Sequence, residues 1–208
     1  MNVTIDSDST AQITGIHIFG GEAHFASNYT LIDTSSVGSN LQWGFGLFVN
    51  GANGGKAFFE GGDVVIRNYT DQYTSQTLSV KEKSSIEFNN KGDVLIESES
   101  PFGVTVVDAY GALTFNNVGN VTLRGTIIPG DKTAQRNVVG IQGNNTTWTV
   151  TDRVEDFTIE LSGAGVDNDG STFSTGTKAI TGNNVDFSFE GRNLNIVMDI
   201  ANDIEVVP

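Results

Sequence analysis

Apolar and polar residues alternate along this chain over short runs, each bounded by Gly, Asn, Asp or Ser. Ile86-Glu87-Phe88, Leu113-Thr114-Phe115, Trp148-Thr149-Val150 and Phe187-Ser188-Phe189 are representative. A period of two marks a half-buried strand, and helical periodicity is nearly absent. The pattern therefore predicts an all-β protein of short strands and many turns.

The strands recur. Asn or Asp, an apolar residue, any residue and an aliphatic follow one another at Asn2-Val3-Thr4-Ile5, Asn28-Tyr29-Thr30-Leu31, Asp63-Val64-Val65-Ile66 and Asp93-Val94-Leu95-Ile96. The same order returns at Asn120-Val121-Thr122-Leu123, Asp156-Phe157-Thr158-Ile159 and Asn193-Leu194-Asn195-Ile196, at intervals of 26 to 37 residues. Composition alone gives about three such matches by chance, and one further match, at Asp203, is out of phase. What precedes the motif strengthens it. A second strand lies upstream at Ala23/Phe25, Phe58/Phe59, Ile86/Phe88, Leu113/Phe115, Trp148/Val150 and Phe187/Phe189. Another comes before that, at Ile16/Ile18, Phe45/Leu47, Leu78/Val80, Val104/Val106, Val139/Ile141 and Ala179/Ile180.

Units of three strands and this length predict a parallel β-helix of about six to seven coils, a single segment over residues 1–208. The two apolar positions of each strand point inward and stack on their equivalents above and below. Phe25, Phe58, Phe88, Phe115, Trp148 and Phe187 are expected to fill that interior. The repeated Asn or Asp suits a corner, where it can bond nearby backbone or build an amide ladder. A β-sandwich would use the same short strands, but it does not explain why apolar pairs recur in threes.

Composition narrows the function classes. The 208 residues carry 11 Lys and Arg against 25 Asp and Glu, a net charge of −14, with 25 Gly, 13 Phe and no Cys. Such acidity argues against a phosphate-bearing partner, so no nucleic acid is expected. No apolar run reaches the ~20 residues of a membrane helix, and no membrane insertion of this segment is expected. Without Cys there is neither a disulfide framework nor a thiolate metal site. The start, Met1-Asn2-Val3-Thr4-Ile5, lacks a charged region followed by an apolar one. The chain thus reads as a piece of a longer protein whose two ends expose strand edges.

The connection from the third strand to the next first strand varies most in length. It covers about Asp33–Trp43, Arg67–Thr77, Gly125–Asn137 and Leu161–Lys178, and shortens at Glu97–Gly103. In a stacked repeat these segments leave from one corner and gather on one side, where insertions usually form the interaction face. Trp43, Tyr69 and Tyr73, on or beside them, can pack on a sugar ring or a partner surface, or fold over the flank. Lys132 and Arg136 in the third segment and Asp167 and Asp169 in the fourth complete the candidate binding residues. Val166-Asp167-Asn168-Asp169-Gly170-Ser171 invites a calcium reading. With Gly170 as sixth residue of an EF-hand loop, however, the first and twelfth positions are Gly165 and Gly176, so both outer ligands are missing and a solvated acidic turn is favoured. No metal and no cofactor are expected.

Catalytic signals are sparse. His17 alternates with Ile16 and Ile18 and faces outward, and His24 stands beside Phe25; neither is near a nucleophile motif. Asp152, Glu155 and Asp156 form a local acidic group around a corner. No catalytic residue is assigned.

The absence of Cys, the Gly-, Asn-, Ser- and Thr-rich composition, the acidity and irregular three-strand coils such as Val138–Ser162 and Ala179–Met198 together resemble the passenger domains of bacterial type V autotransporters. The resemblance covers essentially the whole chain and is architectural. It implies a right-handed β-helix exported to the bacterial cell surface, non-enzymatic, and serving adhesion to a host glycan or surface protein, self-association between cells, or biofilm formation. The alternatives are a carbohydrate-active β-helix (a polysaccharide lyase or hydrolase, or a tailspike-like segment) and a structural spacer.

Overall fold

The computed structural model describes residues 1–7, 12–36, 43–70, 76–81, 83–98, 105–107, 110–116, 119–127, 139–142, 147–151, 153–155, 157–163, 180–181, 186–189 and 194–200. These residues form two parallel sheets and contain no helix. The first sheet holds seven strands in the spatial order β1 (Asn2–Ser7), β3 (Tyr29–Ser36), β5 (Asp63–Thr70), β8 (Val94–Ser98), β11 (Val121–Ile127), β14 (Phe157–Gly163) and β17 (Leu194–Ile200).

The second sheet is built around β4 (Trp43–Phe59). The first half of β4 pairs with β6 (Gln76–Val80), then β9 (Thr105–Val107), β12 (Val139–Gln142) and β15 (Ile180–Thr181) follow in order. Its second half pairs with β7 (Ser85–Phe88), followed by β10 (Ala112–Phe115), β13 (Thr147–Val150) and β16 (Asp186–Phe189). β2 (Gln12–Phe25) lies along β4 over both halves. Every pairing between described strands is parallel. That removes the antiparallel sandwich, and the arrangement is compatible with a β-solenoid.

In-register parallel pairing turns each inward position into a column. Phe25, Phe59, Phe88 and Phe115 occupy one column, since Phe25 pairs with Phe59, Phe59 with Phe88 and Phe88 with Phe115. Their rings stack at centroid separations of 4.6, 4.8 and 5.0 Å, with interplanar angles of 14°, 10° and 6°. Adjacent strands are ~4.8 Å apart, so the sheet spacing itself sets the ring spacing. Phe59, Phe88 and Phe115 are fully buried.

At the next step the column changes residue, because Phe115 pairs with Val150. The facing column changes in the opposite sense: Val64, Val94 and Val121 are followed in register by Phe157. Phe157 meets Phe115 edge-on at 5.5 Å and 72°. The four repeats from Phe59/Val64 to Val150/Phe157 therefore each place one Phe and one Val in this layer, and the exchange of the two conserves volume, as a close-packed interior requires.

Two expectations about the interior are corrected. Ala57 pairs with Ile86 and Phe59 with Phe88, both inward, so Phe58 between them faces outward and stacks on His24. Phe58 is thus not interior filling. The motif strand at Asn28 is also displaced. Thr30, not Tyr29, pairs with Val64, and a one-residue slip reverses every side chain of a strand. Thr30, Ile32 and Thr34 are buried, whereas Tyr29 is 44% exposed. Corner length is not the cause, since four residues separate both Phe25 from Thr30 and Phe59 from Val64; the motif itself starts early, with Asn28 three residues after Phe25 where Asp63 stands four after Phe59. The register of Asn2 is also offset, since it pairs with Leu31. Trp148 and Phe187 share the register row of Leu113.

Corner residues bond across repeats. The Asp63 carboxylate accepts the Asp93 backbone N–H at 3.0 Å, and Asp93 accepts the Asn120 backbone N–H at 2.8 Å. Here the motif residue serves as an acceptor for its successor's main chain. The amide ladder forms one corner earlier, where Asn116 Nδ2 donates to Asn89 Oδ1 at 2.8 Å and Thr151 donates to Asn116 Oδ1 at 2.7 Å. Inside, Asn68 Nδ2 donates to the carbonyls of Gly44 and Gln76, both at 3.1 Å.

The Phe–Val exchange predicts a double-mutant cycle. Val150→Phe should destabilise by about 1–3 kcal/mol through overpacking, and Phe157→Val by about 1–3 kcal/mol through the cavity left behind. The double variant should recover more than about 1 kcal/mol of their sum. Urea denaturation midpoints measure the cycle, and simple additivity would refute the pairing of the two columns.

Candidate functional site

Of the residues the sequence singles out for contact, Tyr73, Lys132, Arg136, Asp167 and Asp169 lie outside the described residues. Trp43 opens β4, where its backbone pairs with Gln12. Tyr69 lies in β5, two residues beyond Arg67, because that strand continues to Thr70. The parts of the predicted connections that begin at Asp33, Arg67 and Gly125 thus start within strands.

Tyr69 sits in a charge cluster on the outer face of the first sheet. Register aligns Asp33, Arg67, Glu97, Arg124 and Glu160 in one row, alternating in sign from strand to strand. Tyr69 donates its hydroxyl to Glu97 Oε2 at 2.9 Å. Arg67 Nε lies 3.2 Å from the same oxygen, close enough for ion pairing although its N–H is not aligned for a hydrogen bond. Arg124 Nη1 reaches Glu97 Oε1 at 3.4 Å. Partial burial, then the hydrogen bond to Glu97 and its negative charge, push the Tyr69 hydroxyl up to about 12; Arg67 opposes the shift and Asp33 adds to it. The polar end of Tyr69 is therefore held by Glu97, and this cluster ties neighbouring strands together.

A second outward group lies on β2 and β4 and was not assembled from the sequence, beyond the outward placement of His17. Both histidines of the chain stand on β2, and each stacks on a phenylalanine of β4. His17 lies on Phe48 with centroids 4.8 Å apart at 17°, and His24 lies on Phe58 at 4.8 Å and 18°. His17 Nε2 is 2.8 Å from Asn50 Oδ1, and His24 Nδ1 is 3.1 Å from Glu60 Oε2. Phe48 stacks on Phe45 as well, at 4.6 Å, so its ring is held between two others. Phe19 meets His17 edge-on at 5.9 Å and 75°, and is 73% exposed. Lys56 donates to Glu22 at 2.8 Å; this hydrogen bond and the ammonium charge hold the Glu22 carboxyl below its ordinary range.

Glycines shape the segment between the two stacks. Gly20, Gly21, Gly51 and Gly54 all have positive φ, conformations that side chains rarely adopt. The pairing steps from Phe19↔Asn50 to Gly21↔Gly55, so β4 carries three more residues than β2 over this stretch. A Cβ at Gly54 would collide with the Lys83 carbonyl. The available signal was phase: in Ile16-His17-Ile18-Phe19 and Leu47-Phe48-Val49-Asn50 the aliphatic residues take the inward positions, which leaves the aromatic ones outside.

Among the described residues no group of three or more His, Asp and Glu side chains is arranged to hold a metal ion, and no helix is long and apolar enough to cross a membrane. Comparisons with protein-family models, with curated proteins and with solved structures find no match for this chain.

Tyr69 gives a pH prediction. Its folded value of about 12 exceeds the ordinary 10.0, so the unfolded chain releases this proton first. The stabilisation is complete below pH 10 and is lost as pH rises through about 12. Ultraviolet titration of the folded protein should show one tyrosine ionising near 12, and Glu97→Gln should bring that step back toward 10. An unchanged step in the variant would remove Glu97 as the cause.

Proposed function

We propose that this chain is a segment of a non-enzymatic bacterial surface adhesin, built as a right-handed three-stranded parallel β-helix of about six to seven coils and resembling an autotransporter passenger. Support for the coil reading comes from the three rows of partners, each returning after about one repeat: β1–β3–β5–β8–β11–β14–β17, β4–β6–β9–β12–β15 and β4–β7–β10–β13–β16. Stacked repeats make a rod whose outer faces are broad and fixed, a form suited to multivalent contact. The connections after the third strand, with Trp43, Tyr69, Tyr73, Lys132, Arg136, Asp167 and Asp169, would lie along one flank of that rod.

The single observation that carries an adhesive role is the exposed aromatic surface on β2 and β4. Phe19 stands 73% in solvent beside stacked His17 and Phe48. Apolar surface gathered on an outer face, rather than scattered singly, is what marks an interaction site. The partner classes are a host glycan, a host surface protein or another bacterial cell, and no cofactor is required.

Purified protein should bind saturably to host cells or to a glycan array while releasing neither reducing nor unsaturated ends from a polysaccharide panel. Turnover of any polysaccharide would replace this reading with a carbohydrate-active enzyme. Absence of binding to cells, matrix proteins and glycans alike would leave only a structural spacer.

A further inference from the structure

We infer that Asn53 is a site of spontaneous covalent modification, where the folded chain converts a neutral amide into a carboxylate with water as the only co-reactant. The reaction is independent of the adhesin reading and needs only the glycine break in β4. Asn followed by Gly occurs twice in the sequence, at Asn50-Gly51 and Asn53-Gly54. In such a pair the main-chain nitrogen of the glycine can reach the carboxamide carbon of the asparagine, because no Cβ on the following residue shields it. Attack forms a bond between Gly54 N and Asn53 Cγ and closes a five-membered imide. The Cγ–Nδ2 bond breaks, and Nδ2 leaves as ammonia with the proton that Gly54 N gives up. Water then opens the ring at either carbonyl, which leaves aspartate or isoaspartate. One water enters, one ammonia departs, and nothing is oxidised or reduced.

The fold distinguishes the two positions. An intramolecular attack is fast only where both groups can take up the reacting geometry, which requires the side chain and the next peptide to turn toward each other. Asn50 is held: it is half-buried, it pairs with Phe19 on β2, and its Oδ1 lies 2.8 Å from His17 Nε2. Closing the imide there would break the His17 contact and twist a paired strand. Asn53, by contrast, is exposed, and residues 51–54 have no register partner on β2. Along the other edge of β4, pairing with β6 runs only to Val49 and pairing with β7 begins at Lys56. Backbone outside the ladder opens at little cost in free energy.

The reactive partner is itself fixed by the structure. Gly54 has φ +78°, and a Cβ on it would collide with the Lys83 carbonyl, so no other residue fits beside Asn53. Each event adds a negative charge to a chain that already carries −14, in the stretch between the His17–Phe48 and His24–Phe58 stacks. Isoaspartate also lengthens the main chain by one carbon. Four residues of β4 already stand against Gly20 alone here, so the extra atom falls where the ladder has slack.

The test ages the whole folded chain in warm, mildly alkaline buffer and follows both positions by peptide mapping with isoaspartate detection. Aspartate and isoaspartate should appear at residue 53 about tenfold faster than at residue 50, or more, and the rate should rise with pH as the Gly54 N–H is lost more readily. In guanidinium chloride, which removes the restraints on Asn50, the two positions should react at similar rates. Asn53→Gln should abolish the modification at its position, and Asn53→Asp should keep the wild-type circular dichroism and melting temperature. Equal rates in the folded chain, or faster reaction at Asn50, overturn the site. An Asn53 that stays intact in the folded chain while it reacts in denaturant does the same. A rate ratio unchanged by denaturant refutes the fold as the cause of the selection, and a lowered melting temperature in Asn53→Asp refutes the tolerance of the product.

Discussion

In-register parallel pairing is the constraint from which the rest of this structure follows. Where Phe59 pairs with Phe88 and Phe88 with Phe115, the backbone spacing brings three rings face to face, and they stack within a few degrees of parallel. Stacked phenyls at this separation add ring–ring attraction to the burial of apolar surface. The same rule makes a column intolerant of single changes. Val150 fits beneath Phe115 only because Phe157, on the opposite strand, fills the space that a fifth phenylalanine would have taken.

Outside, the rule acts on charge. Parallel in-register pairing lays like position on like position, and like charges directly opposed across strands are destabilising. An acidic chain risks stacking carboxylates in every row. The row through Asp33, Arg67, Glu97, Arg124 and Glu160 avoids this by alternating sign, with Glu97 held between two guanidinium groups and the Tyr69 hydroxyl. At the corners Asp63 and Asp93 are placed instead against backbone N–H groups, where a carboxylate accepts a charge-assisted hydrogen bond.

Much of the interior was legible in the sequence. Alternation alone identified the inward residues of Ile86-Glu87-Phe88 and Leu113-Thr114-Phe115, and the Asp-Val motif correctly aligned Val64, Val94, Val121 and Phe157. Phase failed where the sequence was ambiguous. Phe58-Phe59 offers two aromatic residues for one slot, and only the pairing of Ala57 with Ile86 decides between them. At Asn28-Tyr29-Thr30-Leu31 the motif pointed the wrong way because its Asn comes three residues after the inward Phe25, whereas Asp63 comes four after Phe59, although the two corners are equally long. A template that carries no fixed distance from the preceding strand could not register that difference. The β2–β4 surface is hidden in the sequence for a related reason. Its members are spread between His17 and Glu60 and become neighbours only when β2 lies along β4.

The opposite exchange of Phe and Val between Phe115/Val121 and Val150/Phe157 sets one unit apart from those before it, and Phe189 and Leu194 follow it in register. Because Phe59/Val64, Phe88/Val94, Phe115/Val121 and Val150/Phe157 each hold their own large and small side chain, a whole unit among them can be excised, duplicated or moved without changing the volume of the layer. Exchanging a single strand between the Val150 unit and a neighbour would instead set two rings against each other or leave two valines across a void. Such an array can lengthen by copying whole units but not by recombination within one.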